Sequence, residues 1–251
     1  MGKANKAGFF IIAIWMVSIG ISEAQLNVSN WHVGINGGVF VYQGDLTPEI
    51  MGSYKTLKPT LGLYISRILN PSFILRTNLA HGNLMGADAR YSSPAYRQQR
   101  NLRFTTPVTE FSELLVWNMF GNNSNEIGNR FSPYLFGGAG VSFLKIDRSS
   151  NLNKSYFVNE MRVTSGLAAD MSKTPPRSIL VLPAGIGVEY YLTPNISLTA
   201  ETNFRYTFTD YLEGFSRVAN PDKKDFYQSH TVGLVFKFNK KNELACPVAK
   251  R

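Results

Sequence analysis

The chain has 251 residues, of which 44% are hydrophobic, 13% aromatic and 17% charged, and its 26 Lys and Arg against 17 Asp and Glu give a formal net charge of +9. So low a charge fraction, with many Gly, Thr, Asn and Ser, fits an all-β protein better than a soluble helical one. The cations are scattered and form no helical stripe, which argues against nucleic acid as a partner; anionic head groups, surface polysaccharide or simple solvation are the remaining uses.

Lys3 and Lys6 precede an apolar run over 9–21, and Ser22-Glu23-Ala24 supplies a small-x-small cleavage signal before Gln25. That order predicts a cleaved signal peptide over 1–24. The run is shorter than the roughly 20 residues of a spanning helix, and no other segment matches it, so a helical membrane protein is not expected. The mature chain has the length of a single β domain, 25–241, with a tail over 242–251. No cysteine lies near the cleavage signal to carry a lipid.

Eight segments of the mature chain have strand length, at 31–43, 59–69, 72–83, 108–120, 131–146, 179–192, 196–212 and 226–238. The seventh alternates most cleanly. Ile196, Leu198, Ala200, Thr202, Phe204, Tyr206 and Phe208 share one face, and Ser197, Thr199, Glu201, Asn203, Arg205, Thr207 and Thr209 the other. The sixth and eighth repeat the pattern; the fourth and fifth are apolar on both faces. The connections also alternate: 70–71 and 193–195 are tight and 122–130 moderate, whereas 44–58, 86–107, 147–177 and 213–225 are long and polar. Short turns at one end and long loops at the other predict a closed antiparallel up-and-down transmembrane β-barrel of about eight strands, with both termini in the periplasm of a Gram-negative outer membrane.

A soluble ligand carrier has the same periodicity with its faces exchanged. The charges favour the membrane form: Arg76, Glu189, Glu201, Arg205 and Lys237 share the face rich in Gly, Ser, Thr and Asn, which therefore reads as a polar lumen network. The Glu201/Arg205 pair, four residues apart, reads as a buried ion-pair network in preference to a selectivity ring, and no pore is expected. Aromatics near strand ends, among them Trp31, Tyr190, Phe208, Phe226 and Phe238, suit two interfacial girdles.

Nothing in the sequence frames catalysis. His32, His81 and His230 have no metal-ligand spacing, with His32 pointing inward and the other two outward. Asp88 or Asp210 beside His81 lacks any supporting motif, and Gly137-Gly138-Ala139-Gly140 falls inside a strand, where glycine relieves crowding and does not cradle phosphate. The expectation is no catalytic residue, no metal and no cofactor. Cys246 is the single cysteine, so it is either a bystander in a frayed tail or the partner of another protein's thiol.

Several segments together resemble the PorG-like barrel family, outer-membrane components associated with the type IX secretion and gliding machinery of Bacteroidetes. They are Trp31-His32-Val33-Gly34 with Tyr42-Gln43-Gly44-Asp45-Leu46, then Arg100-Asn101-Leu102-Arg103-Phe104 with Glu110-Phe111-Ser112-Glu113, then Arg205-Tyr206-Thr207-Phe208-Thr209-Asp210-Tyr211-Leu212 with Ser216, and Cys246-Pro247. The resemblance implies an anchor that contacts a periplasmic lipoprotein and its ring partner. The basic tail, with Lys240, Lys241, Cys246 and Pro247, then becomes the candidate contact for periplasmic proteins, including an intermolecular disulfide, and outer-membrane lipid surrounds the barrel. A stand-alone surface barrel, adhesive or envelope-stabilising through its outer loops, is the alternative.

Overall fold

The computed structural model describes residues 30–121, 123, 130–219 and 225–238. The expected signal peptide and the tail residues Lys240, Lys241, Cys246 and Pro247 lie outside them.

Among the described residues nine strands form in chain order: β1 (Trp31–Gln43), β2 (Ser53–Ile68), β3 (Phe73–Ala87), β4 (Leu102–Asn118), β5 (Phe131–Leu144), β6 (Asp147–Ser150), β7 (Ser178–Thr193), β8 (Ile196–Thr207) and β9 (Phe226–Lys237). Among the described residues a 3-10 turn (Asp88–Arg90) and two α-helices, α1 (Tyr96–Arg100) and α2 (Met161–Ser172), join them. Every strand pair is antiparallel, and β3–β4 and β1–β9 pairing closes the ring. The ring itself has eight strands, because β6 pairs only with the long-loop end of β4, at Leu102–Thr105. Closure satisfies the ladder hydrogen bonds without an edge, as a sheet in hydrocarbon requires.

The faces settle the choice between membrane barrel and soluble carrier. Leu61, Leu63 and Ile65 on β2, Leu180, Leu182 and Ile186 on β7, and Val232, Leu234 and Phe236 on β9 are all exposed on the outside. In water such a continuous belt drives aggregation, whereas a bilayer solvates it. Trp31, Phe73, Trp117, Phe131 and Tyr190 lie toward the short-turn end, and Phe143, Tyr206 and Phe226 toward the other. No helix among the described residues is long and apolar enough to cross a membrane.

The turns are built as their residues dictate. Asn70 Oδ1 accepts from the Ser72 and Phe73 amides at 2.9 and 2.8 Å, fixing the β2–β3 turn. Thr193 Oγ1 does the same for Asn195 and Ile196 between β7 and β8. The start of β1 and the end of β9 pair with each other, His32 beside Lys237, so both described ends lie at the short-turn end.

The long connections are less loop-like than their polarity predicts. β2 begins at Ser53, six residues before the expected 59, and β4 at Leu102, six before the expected 108, so the wall continues past the belt; β8 stops at Thr207, short of the expected 212. Alternation against a lipid face cannot mark a strand that has left the lipid. In the 147–177 connection, β6 and α2 take the place of an open loop.

Candidate functional site

The lumen is filled by charge. Arg76 on β3 reaches across to Glu201 on β8, Nη1 to Oε1 at 2.5 Å. Tyr134 donates its hydroxyl to the same Oε1 at 2.6 Å, and the Arg76 guanidinium lies 4.4 Å from the Tyr64 ring centre and 5.6 Å from that of Tyr134. Nearer the long-loop end, Arg205 Nε donates to Glu110 Oε2 at 2.6 Å and Arg205 Nη1 to Ser229 Oγ at 2.8 Å, with the Phe40 and Tyr227 rings each 5.2 Å from the guanidinium. Tyr227 also donates to Glu110, at 2.8 Å. Near the short-turn end, Lys237 Nζ stands 2.8 Å from Glu189 and 3.8 Å from the Tyr191 ring centre. Three cation–carboxylate layers therefore succeed one another along the axis.

Glycines make room for them. Tyr64 faces Gly34 across β1–β2, and Tyr134 faces Gly187 across β5–β7. A Cβ at Gly34 would stand 2.1 Å from the Tyr64 ring, and one at Gly187 2.4 Å from the Tyr134 ring. Both rings lie where those side chains would be. The cavity left between the Arg76–Glu201 and Arg205–Glu110 layers, lined by Arg76, Glu201, Asn203 and Arg205, has a volume of ≈ 20 Å³. That is the size of a single water, not of a solute.

Beyond the Arg205–Glu110 layer, toward the long loops, the lumen turns apolar. Phe40, Tyr42, Leu46, Leu84, Leu102, Phe104, Leu212 and Phe215 pack into one buried cluster, joined by Val163 and Leu167 of α2. Two buried aspartates clamp the loops over it. Asp88 accepts from Arg97 Nη1 at 3.1 Å, from Arg100 Nε and Nη2 at 2.7 and 2.9 Å, and from the Leu102 amide at 3.3 Å. The same two arginines donate to the Asp45 carbonyl, tying the first long loop to the second. Asp170 of α2 accepts from the Ser216, Arg217 and Val218 amides at 3.1, 3.2 and 2.9 Å and from the Tyr211 hydroxyl at 3.2 Å. Arg148 of β6 completes the clamp by donating to the Gly214 and Lys173 carbonyls.

A family model described as a domain of unknown function, DUF6089, matches residues 7–241. The chain belongs to the DUF6089 family. Comparison with curated proteins found no match. Solved structures similar to this DUF6089 chain include Neisserial surface protein A, at 12% identity and a TM-score of 0.48 over 84% of this chain and 98% of that one. Another is Ail, the attachment invasion locus protein of Yersinia pestis, solved with a heparin analogue, at 12% identity and 0.43 over 83% and 97%. A third is the outer membrane protein OprG from Pseudomonas aeruginosa, at 13% identity and 0.42 over 84% and 98%.

Arg76, Glu189, Glu201, Arg205 and Lys237 all point into the lumen of the DUF6089 barrel, but not in the pairing their spacing suggests. Glu201 and Arg205 do not bond each other; Glu201 pairs with Arg76, and Arg205 with Glu110. Four strand residues span roughly 13 Å along the wall, while the opposite wall of a narrow barrel is closer. Glu110 is the ion-paired carboxylate of the lumen that sequence reasoning missed. β4 has a glutamate on each face, Glu110 inward and Glu113 outward, so composition could not give its parity. Asp88 and His81 stay apart, Asp88 in its arginine clamp and His81 on the outer wall with Nδ1 2.9 Å from Thr109 Oγ1. His32 is buried in the lumen, and His230 sits outside between Tyr54 and Thr202.

Proposed function

We propose that the protein is a non-enzymatic outer-membrane barrel that serves as an anchor or docking component of a protein-secretion machinery of the type IX and gliding kind. On this reading the leader over 1–24 is removed, and both termini and the short turns face the periplasm, where Lys240, Lys241, Cys246 and Pro247 meet protein partners. The observation that carries it is the closed lumen: three ion-pair layers topped by an apolar plug leave surfaces, not an interior, as the place where the protein acts. The resemblance of Trp31-His32-Val33-Gly34, Arg205-Tyr206-Thr207-Phe208 and Cys246-Pro247 to PorG-like barrels is what favours this machinery over another.

Affinity capture of the full chain from detergent-solubilised membranes tests this. Co-purification of a periplasmic lipoprotein and its ring partner is the expected result, and their absence removes the secretion role. In that event a stand-alone surface barrel is the second reading. It is favoured by the apolar side chains that the long-loop end exposes, Ile50 at 85%, Val158 at 72% and Met161 at 78%, and by an open cavity of ≈ 210 Å³ beside Tyr96 and Arg97.

A further inference from the structure

One residue of the outer wall contradicts its surroundings. Glu113 of β4 faces outward, between Phe111 and Leu115 on its own strand and beside Leu75 and Leu79 of β3, all of them exposed. It stands four residues above Trp117, which marks the short-turn girdle, and four below Thr109, which faces Phe143 of the other girdle. For a strand tilted about 40° that is roughly 10 Å of height in each direction, which puts the carboxyl near the middle of a belt about 25 Å tall. Its Oε2 accepts from Thr77 Oγ1 at 2.8 Å, and Oε1 has no partner among the described residues. No cation forms an ion pair with it there.

An ionisable side chain at such depth is expensive unless something meets it, and so marks a contact by default. The wall beside it is shaped for one. Across β5 and β7 the outward positions next to Glu113 and Leu115 are Ala139, Gly137 and Ala184, a shallow trough in an otherwise bulky belt. Gly137 is not needed there to avoid a clash, since a Cβ on it would meet nothing nearer than 3.8 Å. Small residues in a membrane let a second backbone approach closely.

We infer that the β3–β5 face centred on Glu113 is a lateral docking surface, within the bilayer, for a different membrane-embedded protein whose segment presents a hydrogen-bond donor or a cation at mid-depth. Charge decides against a second copy of this chain. Across a two-fold axis parallel to the membrane normal, Glu113 meets Glu113, like against like. The wall's outward cations cannot answer it either, because Arg67 lies toward the short-turn end and Lys55 and Arg103 toward the long-loop end. This surface is separate from the periplasmic tail and stands or falls independently of the secretion role.

Site-specific photo-crosslinking in the native membrane tests it, with Ala139→benzoylphenylalanine as the probe and Leu234→benzoylphenylalanine on the opposite wall as the control. The expected result is an adduct at Ala139 with another protein, mapped to a membrane-embedded peptide that carries Lys, Arg or a hydroxyl or amide donor, and no such adduct at Leu234. Adding Glu113→Leu should lower its yield about tenfold, the effect of losing one intramembrane hydrogen bond. Adducts with lipid or with a second copy alone, or a yield that Glu113→Leu leaves unchanged, overturn the proposal. Purified Glu113→Leu in vesicles should also unfold at higher denaturant concentration than the wild type, because a carboxylate without an ion-pair partner has left the hydrocarbon. A lower midpoint makes Glu113 a structural part of the wall and likewise overturns the proposal.

Discussion

Arg205 and Glu110 meet across the lumen from β8 and β4, Nε to Oε2 at 2.6 Å, with both side chains almost completely buried. Neither charge is open to bulk solvent. Breaking such a pair from one side strands the other charge, whereas replacing both with apolar groups of similar volume is close to neutral.

Glu110→Ala should therefore destabilise the folded barrel by about 3–5 kcal/mol, and Glu110→Met with Arg205→Met by much less than the two single changes summed. Urea titration of vesicle-reconstituted protein, followed by tryptophan fluorescence, measures both. A Glu110→Ala midpoint equal to wild type contradicts the pairing.

The glycine–tyrosine packing makes a second prediction. Gly187→Val drives a side chain into the Tyr134 ring and so disturbs Arg76 and Glu201 behind it, at a cost of about 2 kcal/mol or more. Gly137→Ala, on the same sheet but facing outward into open space, should change the unfolding midpoint little. Equal effects at the two positions contradict the assigned faces.

How much of the fold and the lumen was legible in the sequence depends on which residues touch lipid. β8 could be read outright, because Ile196 through Tyr206 alternate against hydrocarbon on one side and charge on the other, a contrast that period-2 geometry imposes. β4 could not, because Glu110 and Glu113 put a carboxylate on each face and only the register against β3 tells them apart. The three-layer lumen was legible as a set of inward charges but not as pairs, since partners such as Arg76 and Glu201 come from strands 125 residues apart. The cap at the long-loop end was invisible. Asp88 and Asp170 look like ordinary loop residues until distant arginines and amides converge on them.

Asp170→Ala should loosen that cap without opening the barrel. Three backbone amides and the Tyr211 hydroxyl lose their acceptor, so protease cleavage within 147–177 should accelerate by roughly tenfold or more. Limited proteolysis of intact vesicles reads this, and an unchanged rate would mean that α2 is held by its apolar contacts alone.

Cys246 offers a simple chemical check of the proposed periplasmic tail. If the thiol pairs with another protein, non-reducing electrophoresis of the full chain from native membranes should show a higher-mass species that disappears on reduction and in Cys246→Ser. An identical pattern for wild type and variant removes the disulfide.

A filled lumen should carry no current. Purified protein in a planar bilayer should give no discrete conductance steps, and reproducible steps would mean that the ion-pair layers open.

The central claim is that a closed barrel holds its apolar face against lipid and its charged face inside. Electrophoretic mobility in SDS with and without boiling tests it most directly, because a closed barrel survives the detergent until it is heated. The unboiled protein should migrate ahead of the boiled one; identical mobility of the two samples would contradict the account.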